Sequence, residues 1–491
     1  MGKHSFIMMA GLAALLGGCS LAPKYTRPEP PIPSQLPHNQ AKREAAPGQE
    51  ESVPAEMGWR EFFPDKRLQQ VIELALDNNR DLRVAALNIN KARALYRIQR
   101  SEQLPTVGAT AGGSRQEMVF DNQSIAIEQY TVGLGVTSWE LDIFGRIRSL
   151  KEAALQQFFA TRYARSATRI SLVAAVAESY MGLAADAESL DLARSILAAT
   201  TKNFELIQRS YQLGVASELD LRQAKSQMEA AMRDVDAYEA QVATDRHALD
   251  LLVGATVPEN LAPESLASVR PPRDISAGLS SEVLLQRPDI LMAESQLKAM
   301  NANIGAARAA FFPRIALTGD VGRISSELSG LFDSGTGTWN VAAQAVLPIF
   351  TGGANRANLA AAKVDRDIAV ARYEKAIQTA FREVSDALSL RQSLDKQLRS
   401  QQALTNALAK SYSLSDARYK QGIDSYLGVL ISQQSLDGAR QGLVRLRLAR
   451  LVNLVELYKA LGGGDLEQSP PDEPRQAEVQ QATEGASNDN K

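Results

Sequence analysis

Two hydrophobic rhythms alternate along this chain. In the longer stretches apolar residues recur every three or four positions, as in Leu190, Ala193, Leu197, Thr200, Phe204, Ile207 and Tyr211, and again in Val444, Leu448, Leu451, Val455 and Tyr458. That spacing lines one side of a helix and predicts a seam against a neighbouring helix. Two proline-free runs, residues 146–212 and 354–420, predict helices that would each reach roughly 100 Å if unbroken. A compact bundle shares the spacing but has no use for the length.

Elsewhere the period falls to two. Tyr130-Thr131-Val132-Gly133-Leu134-Gly135-Val136-Thr137 places large apolar residues at alternate positions. Ile315, Leu317 and Val321 do the same opposite Arg314, Thr318 and Asp320, as do Trp339, Val341, Ala343, Ala345 and Leu347 opposite Asn340, Ala342 and Gln344. Four strands are expected, near residues 105–117, 128–141, 313–323 and 338–348, with polar loops at 118–127 and 324–337. One apolar and one small or polar face suits a strand with lipid on one side, and Trp339 lies where an aromatic girdle would sit. A soluble sheet with one wet face alternates in the same way. Context separates the two, because four strands cannot close a barrel and an open sheet edge cannot face lipid. Two chains would supply about eight strands, a barrel that side chains fill; three would supply about twelve, leaving a passage. A homotrimer is therefore expected.

Sliding the sequence by 208 positions brings Asp81 onto Asp289, Pro105 onto Pro313, Gly214 onto Gly422, Ser217 onto Ser425, Leu219 onto Leu427 and Gly254 onto Gly462. A constant offset over so long a span marks an internal repeat, residues 66–255 and 281–463. Each copy runs helix, two strands, very long helix, glycine turn, returning helix. The organisation expected is a signal at 1–18, a proline-rich strap at 19–57, a first repeat at 58–265, a linker at 266–280, a second repeat at 281–464 and a disordered polar tail at 465–491.

The first residues read as an export signal, with Lys3 ahead of an apolar run at 6–16 that is too short to span a bilayer. The run ends in Leu16-Gly17-Gly18-Cys19, and Cys19 is the one cysteine of the chain. A small-residue cleavage site ending in cysteine predicts lipidation of Cys19, and Ser20 behind it favours the outer membrane.

Charge and chemistry then narrow the function. With 54 basic and 56 acidic residues there is no electrostatic pull towards nucleic acid. Of three histidines, His4 and His38 lie in the leader and strap, leaving His247, which reads as a polar-face residue. One cysteine and one usable histidine cannot build a zinc site, and a Ser-His-Asp hydrolase would have to rely on His247 alone. No enzyme, cofactor or resident metal is expected.

Several motifs resemble those of the TolC-type outer-membrane efflux family, in its lipoprotein branch. They are Trp59-Arg60-Glu61-Phe62-Phe63, Trp139-Glu140-Leu141-Asp142-Ile143-Phe144-Gly145-Arg146, Arg287-Pro288-Asp289-Ile290, Ala302-Asn303-Ile304-Gly305-Ala306-Ala307-Arg308, Leu347-Pro348-Ile349-Phe350 and Leu457-Tyr458-Lys459-Ala460-Leu461-Gly462-Gly463-Gly464. The resemblance implies a mainly α fold with a small β part: a trimeric α-helical barrel continued by a 12-stranded transmembrane β-barrel, four strands per chain. It also implies a periplasmic adaptor and an inner-membrane RND pump as partners, with small toxic compounds as cargo. Export of metal ions or polypeptides, and a non-conducting periplasmic coiled-coil scaffold, remain the alternatives. By the same resemblance Gly214, Val215, Ser217, Leu219, Asp220, Gly422, Ile423, Ser425 and Tyr426 match adaptor-contacting tips, and Arg418, Tyr419, Asp424 and Leu427 match positions near a closed aperture. Ile431-Ser432-Gln433 stands where relatives commonly carry Asp-Ala-Gln, so an aspartate that helps ring the aperture is missing here.

Overall fold

The structure is a computed structural model that describes residues 20–36, 57–120, 123–275 and 280–464. The signal, Cys19, the second half of the strap and the polar tail lie outside these residues. In chain order the elements are α1 (Trp59–Phe62), α2 (Lys66–Asn78), α3 (Arg80–Ser101), β1 (Val107–Phe120), β2 (Gln123–Leu141), α4 (Arg146–Gln212), α5 (Glu218–Val253), α6 (Pro288–Ala309), β3 (Arg314–Ser325), β4 (Gly337–Val346), α7 (Ala354–Lys420) and α8 (Tyr426–Ala460). Short 3-10 turns lie between α5 and α6. The starts of α3 and α6, of α4 and α7, and of α5 and α8 are each 208 residues apart (288 − 80, 354 − 146, 426 − 218). Helices α4 and α7 are 67 residues each, with the bounds expected from the proline-free runs, and α4 continues through Gly182. The chain divides into two compact units.

One unit holds the strap up to Pro30 with residues 87–163 and 291–376. Its sheet has the order β1-β2-β3-β4, every pair antiparallel, so β1 and β4 are edges with unpaired backbone groups. Register makes the two faces visible. Ala109 pairs with Leu134, Leu134 with Val321, and Val321 with Trp339. In the next row Val107, Val136, Gly319 and Val341 align the same way. The opposite face carries Gly108, Gly135, Asp320 and Asn340, then Thr110, Gly133, Gly322 and Thr338. The apolar side chains Val107, Leu134, Val321, Trp339 and Val341 are all exposed. An extra residue bulges β2 between Val136 and Trp139, where Ser138 takes φ 59°.

The first hairpin departs from expectation. Residues 118–127, expected as a polar loop, are largely strand: Met118 pairs with Ile125 and Glu117 with Ala126. Backbone pairing propagates beyond the alternating apolar stretch, helped by Arg115 and Glu128, a cross-strand ion pair at 3.3 Å.

The strap is extended, as its prolines require, and runs along α6. Arg308 donates to the Leu21 carbonyl at 2.9 Å, and Asn301 to the Pro23 carbonyl at 2.7 Å. Tyr25 and Arg27 both reach Glu294, which Lys298 also meets at 3.0 Å. Burial opposes the charge on Glu294, yet the hydrogen bonds from Arg27 and Lys298 override it and hold its carboxyl below the usual range. Between these contacts Gly305 lets the strap close in; a Cβ there would lie 2.8 Å from the Ala22 nitrogen.

The other unit holds residues 31–86, 164–290 and 377 onwards. Its core is anchored by Phe62, stacked on Tyr458 at 4.1 Å and 6°, with Phe63 edge-on to Phe62 at 4.7 Å. The Tyr458 hydroxyl donates towards the carbonyls of Met57 (3.1 Å) and Gly463 (2.5 Å). Helix α4 has one stretch long and apolar enough to cross a membrane by composition. Its residues Val173, Val176, Ala177, Tyr180, Met181 and Ala184 are instead buried in packing. The seam expected on α4 is real from Leu190 to Ile207; Leu190 and Ala193 pack on Val235 of α5. Tyr211 leaves it and is exposed, because the helix ends within the next turn.

Each repeat closes in the same way. Asn79 donates to the Leu252 carbonyl at 2.8 Å, and Arg287, 208 positions later, donates to the Ala460 carbonyl at 2.6 Å, again 208 positions later. A side chain just ahead of one helix thus satisfies an orphan carbonyl in the last turn of another.

Two acid pairs lie in this unit. Burial, a hydrogen bond with Glu456 and the charge of Glu456 push the Glu178 carboxyl up to about 7. Burial and the same kind of contact with Asp245 push Asp186 up to about 6. Both folded values exceed the ordinary ones of 4.5 and 3.8, so the folded chain holds these protons more tightly than the unfolded chain. The resulting stabilisation is complete below about pH 4 and is lost as pH rises through about 6 and 7. Circular dichroism should show a lower melting temperature at pH 8 than at pH 5, with Glu178→Gln narrowing the gap. An unchanged gap in that variant would rule out the pair as its source.

Candidate functional site: the helix-turn tips

The turns joining α4 to α5 and α7 to α8 are built by one rule. Each long helix ends in a glycine at positive φ, Gly214 at 71° and Gly422 at 72°. The Gly214 nitrogen donates to Tyr211 O and the Val215 nitrogen to Ser210 O, at 2.9 and 2.8 Å. Gly422 donates to Tyr419 O and Ile423 to Arg418 O, at 2.8 and 3.0 Å. This is the Schellman closure, which satisfies the last carbonyls of a helix and needs a residue without a Cβ at its left-handed position.

The returning helices start differently. Ser217 caps α5 through a reciprocal box: its Oγ accepts from the Asp220 nitrogen and its own nitrogen donates to Asp220 Oδ2, both at 3.1 Å. Ser425 holds the same position ahead of α8 but makes no side-chain cap. Residue 428, where Asp220 has its counterpart, is glycine and can offer no carboxylate in return.

Under the turns lies a small core of Ile207, Ala224, Tyr426, Val429 and Leu430, with Phe204, Leu221, Tyr412 and Tyr419 against it. Tyr426 was expected among the contacting residues; it is 5% exposed, tilted against Tyr419 at 5.3 Å, and packs the tip from within. Burial, then the neighbouring Tyr419, raise its hydroxyl to about 12, so it stays neutral. Val215 is 81% exposed, and Leu213, Leu219, Ile423 and Leu427 are also exposed, so each turn presents apolar side chains outward. Ile431 is exposed as well, while Ser432 and Gln433 are buried.

Arg418 and Asp424 form a two-pronged ion pair inside the second tip, Nε to Oδ2 at 2.5 Å and Nη2 to Oδ1 at 3.0 Å. The hydrogen bond and charge of Arg418 hold the Asp424 carboxyl below its usual range, and Asp424 raises Arg418 in turn. Asp424, matched to a position near a closed aperture, has its charge neutralised within its own turn. Ser210 and Ala216 occupy the corresponding positions of the first tip, which has no such pair. Sequence reasoning missed Tyr412, which reaches this core from α7, while Phe204 and Ile207 lie on the seam expected of α4.

His247 is exposed on α5, and among the described residues no group of three or more His, Cys, Asp or Glu could hold a metal ion.

A four-stranded sheet with two open edges and an exposed apolar face, together with 67-residue helices that return through glycine turns, are the parts of a helical-barrel channel of the outer membrane. Comparison with known proteins gives the family. The profile of the outer membrane efflux protein family matches residues 71–255 and 279–463. The antibiotic efflux pump outer membrane protein ArpC of Pseudomonas putida is 46% identical over 470 residues, covering 95% of this chain and 96% of its own. A crystal structure of a membrane protein from Pseudomonas aeruginosa superposes with a TM-score of 0.85 at 40% identity, over 92% of this chain and 99% of that one. The open state of the Neisseria gonorrhoeae MtrE outer membrane channel gives 0.82 at 40% identity, over 91% and 98%. The chain belongs to the outer membrane efflux protein family and resides in the outer membrane.

Proposed function

We propose that this chain is the outer-membrane duct of a tripartite, RND-type multidrug efflux system, working as a homotrimer held to the membrane by lipid on Cys19. It accepts small toxic compounds from an inner-membrane pump through a periplasmic adaptor and conducts them outward. The pump supplies the energy, so the duct carries out no reaction and needs no cofactor. The observation that carries this reading is the unfinished sheet. Its apolar face is exposed and both edges are open, a combination that lipid tolerates only when further copies close the ring. The antibiotic named for ArpC supports the class of cargo.

The test is conductance. The purified protein in a planar bilayer should form channels, and deleting its gene should sensitise cells across a panel of hydrophobic antibiotics and solvents. A monomer in detergent that forms no channels would overturn the reading.

The two turns are the surfaces offered to the adaptor, chiefly through Val215, Leu219, Ile423 and Leu427, and the second is the one that gates. Arg418 with Asp424, and Tyr419 against Tyr426, hold its shape. Arg418→Ala combined with Tyr419→Ala should raise single-channel conductance by several-fold. Conductance equal to the parent would remove both residues from the gate. Cys19→Ala should abolish labelling by radioactive palmitate and leave the precursor unprocessed; a labelled variant would place the lipid elsewhere.

A further inference from the structure

Inside the chain, the junction between β2 and α4 meets the junction between α6 and β3. Phe144 stacks on Phe312 at 4.8 Å and 21°, directly below the pairing of β2 with β3. Glu140 ties the same spot, bonding Arg146 twice at 2.8 Å and Arg314 at 2.7 and 3.1 Å. The repeat supplies a second copy of each half. Ile143-Phe144 recurs as Ile349-Phe350 between β4 and α7, and Phe312-Pro313 corresponds to Leu104-Pro105 between α3 and β1. These second halves find nothing within the chain: Ile349 is 93% exposed, Phe350 90% and Leu104 69%.

We infer that Ile349 and Phe350 of one copy seat on Leu104 of the next, reproducing between copies the contact that Phe144 and Phe312 make within one. The inference rests on the trimeric reading and names part of its seam. The two open halves lie beside the two open edges, β4 and β1, as the two filled halves lie beside the paired strands β2 and β3. A second copy presents the missing half of each. Adjacent phenylalanine and isoleucine side chains left this bare mark a contact surface. The outer junction is also chemically distinct. Thr106 stands where the inner one has Arg314, and Val346, Leu347 and Pro348 precede Ile349 in place of a tethering glutamate. The bond between copies is apolar here, without the ion triad that locks the inner junction.

Chains carrying only Leu104→Cys and chains carrying only Phe350→Cys, co-expressed and oxidised in native membranes, test this directly. Reductant-sensitive dimers should form when both chains are present, and neither variant expressed alone should give them. Phe350→Cys that instead reacts with a thiol reagent confined to the bilayer would assign the residue to lipid and overturn the inference. Trimers of native mass without the disulfide would do the same while leaving the trimeric duct standing. Monomers for every variant and for the parent would remove the duct reading itself.

Discussion

Replacing Arg287 with methionine is expected to cost about 3 kcal/mol of stability, near the lower end for removing one partner of a buried ion pair. The guanidinium is almost fully buried and makes four contacts: two to Asp289 at 3.0 and 2.8 Å, one to Glu383 at 2.9 Å and one to the Ala460 carbonyl at 2.6 Å. Methionine fills much of the space but leaves that carbonyl without its donor. The loss stays near the lower bound because Asp289 and Glu383 are partly exposed and can take up water. Asn79→Ala is the internal control. It removes the equivalent bond to Leu252 and a cap on the Leu82 nitrogen, both neutral, at about 1–2 kcal/mol. Thermal unfolding followed by circular dichroism should therefore rank parent, Asn79→Ala and Arg287→Met in descending order. Equal losses would show that charge adds nothing to the closure of the second repeat.

Phe62→Ala should be at least as damaging, at about 3–5 kcal/mol. The ring is fully buried, lies flat on Tyr458 and takes the edge of Phe63, so truncation opens a cavity under an aromatic cluster. The backbone there is also committed, since the Phe62 carbonyl accepts from the Arg273 nitrogen at 2.9 Å and the site cannot easily collapse. Phe62→Leu keeps most of the volume and should recover more than half of the loss. A melting temperature for Phe62→Ala indistinguishable from the parent would mean that this cluster is not a core.

These two residues show where sequence reading reaches and where it stops. Helix bounds at 146, 212, 354 and 420 were legible because proline is absent between them and glycine follows each end, both local constraints on the backbone. The apolar strand face was legible because alternation is local too. The top of the first hairpin was not, since pairing of Glu117 with Ala126 depends on a partner strand rather than on hydrophobicity. Arg287 was visible only as part of a family motif. Its task became clear when the Ala460 carbonyl was found beside it, and the match to Asn79 was hidden by a change of residue type. The acid pairs were out of reach, because nothing near Glu178 in the chain announces Glu456. At the tips the glycines and Ser217 could be read, but not the burial of Tyr426 or the pairing of Asp424 with Arg418.

The two-pronged pair of Arg418 with Asp424 spans the second turn from one flank to the other. Because only the second repeat owns it, a ring of three copies would alternate turns with and without this brace about its axis. Concentrated salt would then weaken that brace in every other turn. Such a mouth would start to widen at three alternate corners, and its opening should become easier as ionic strength rises.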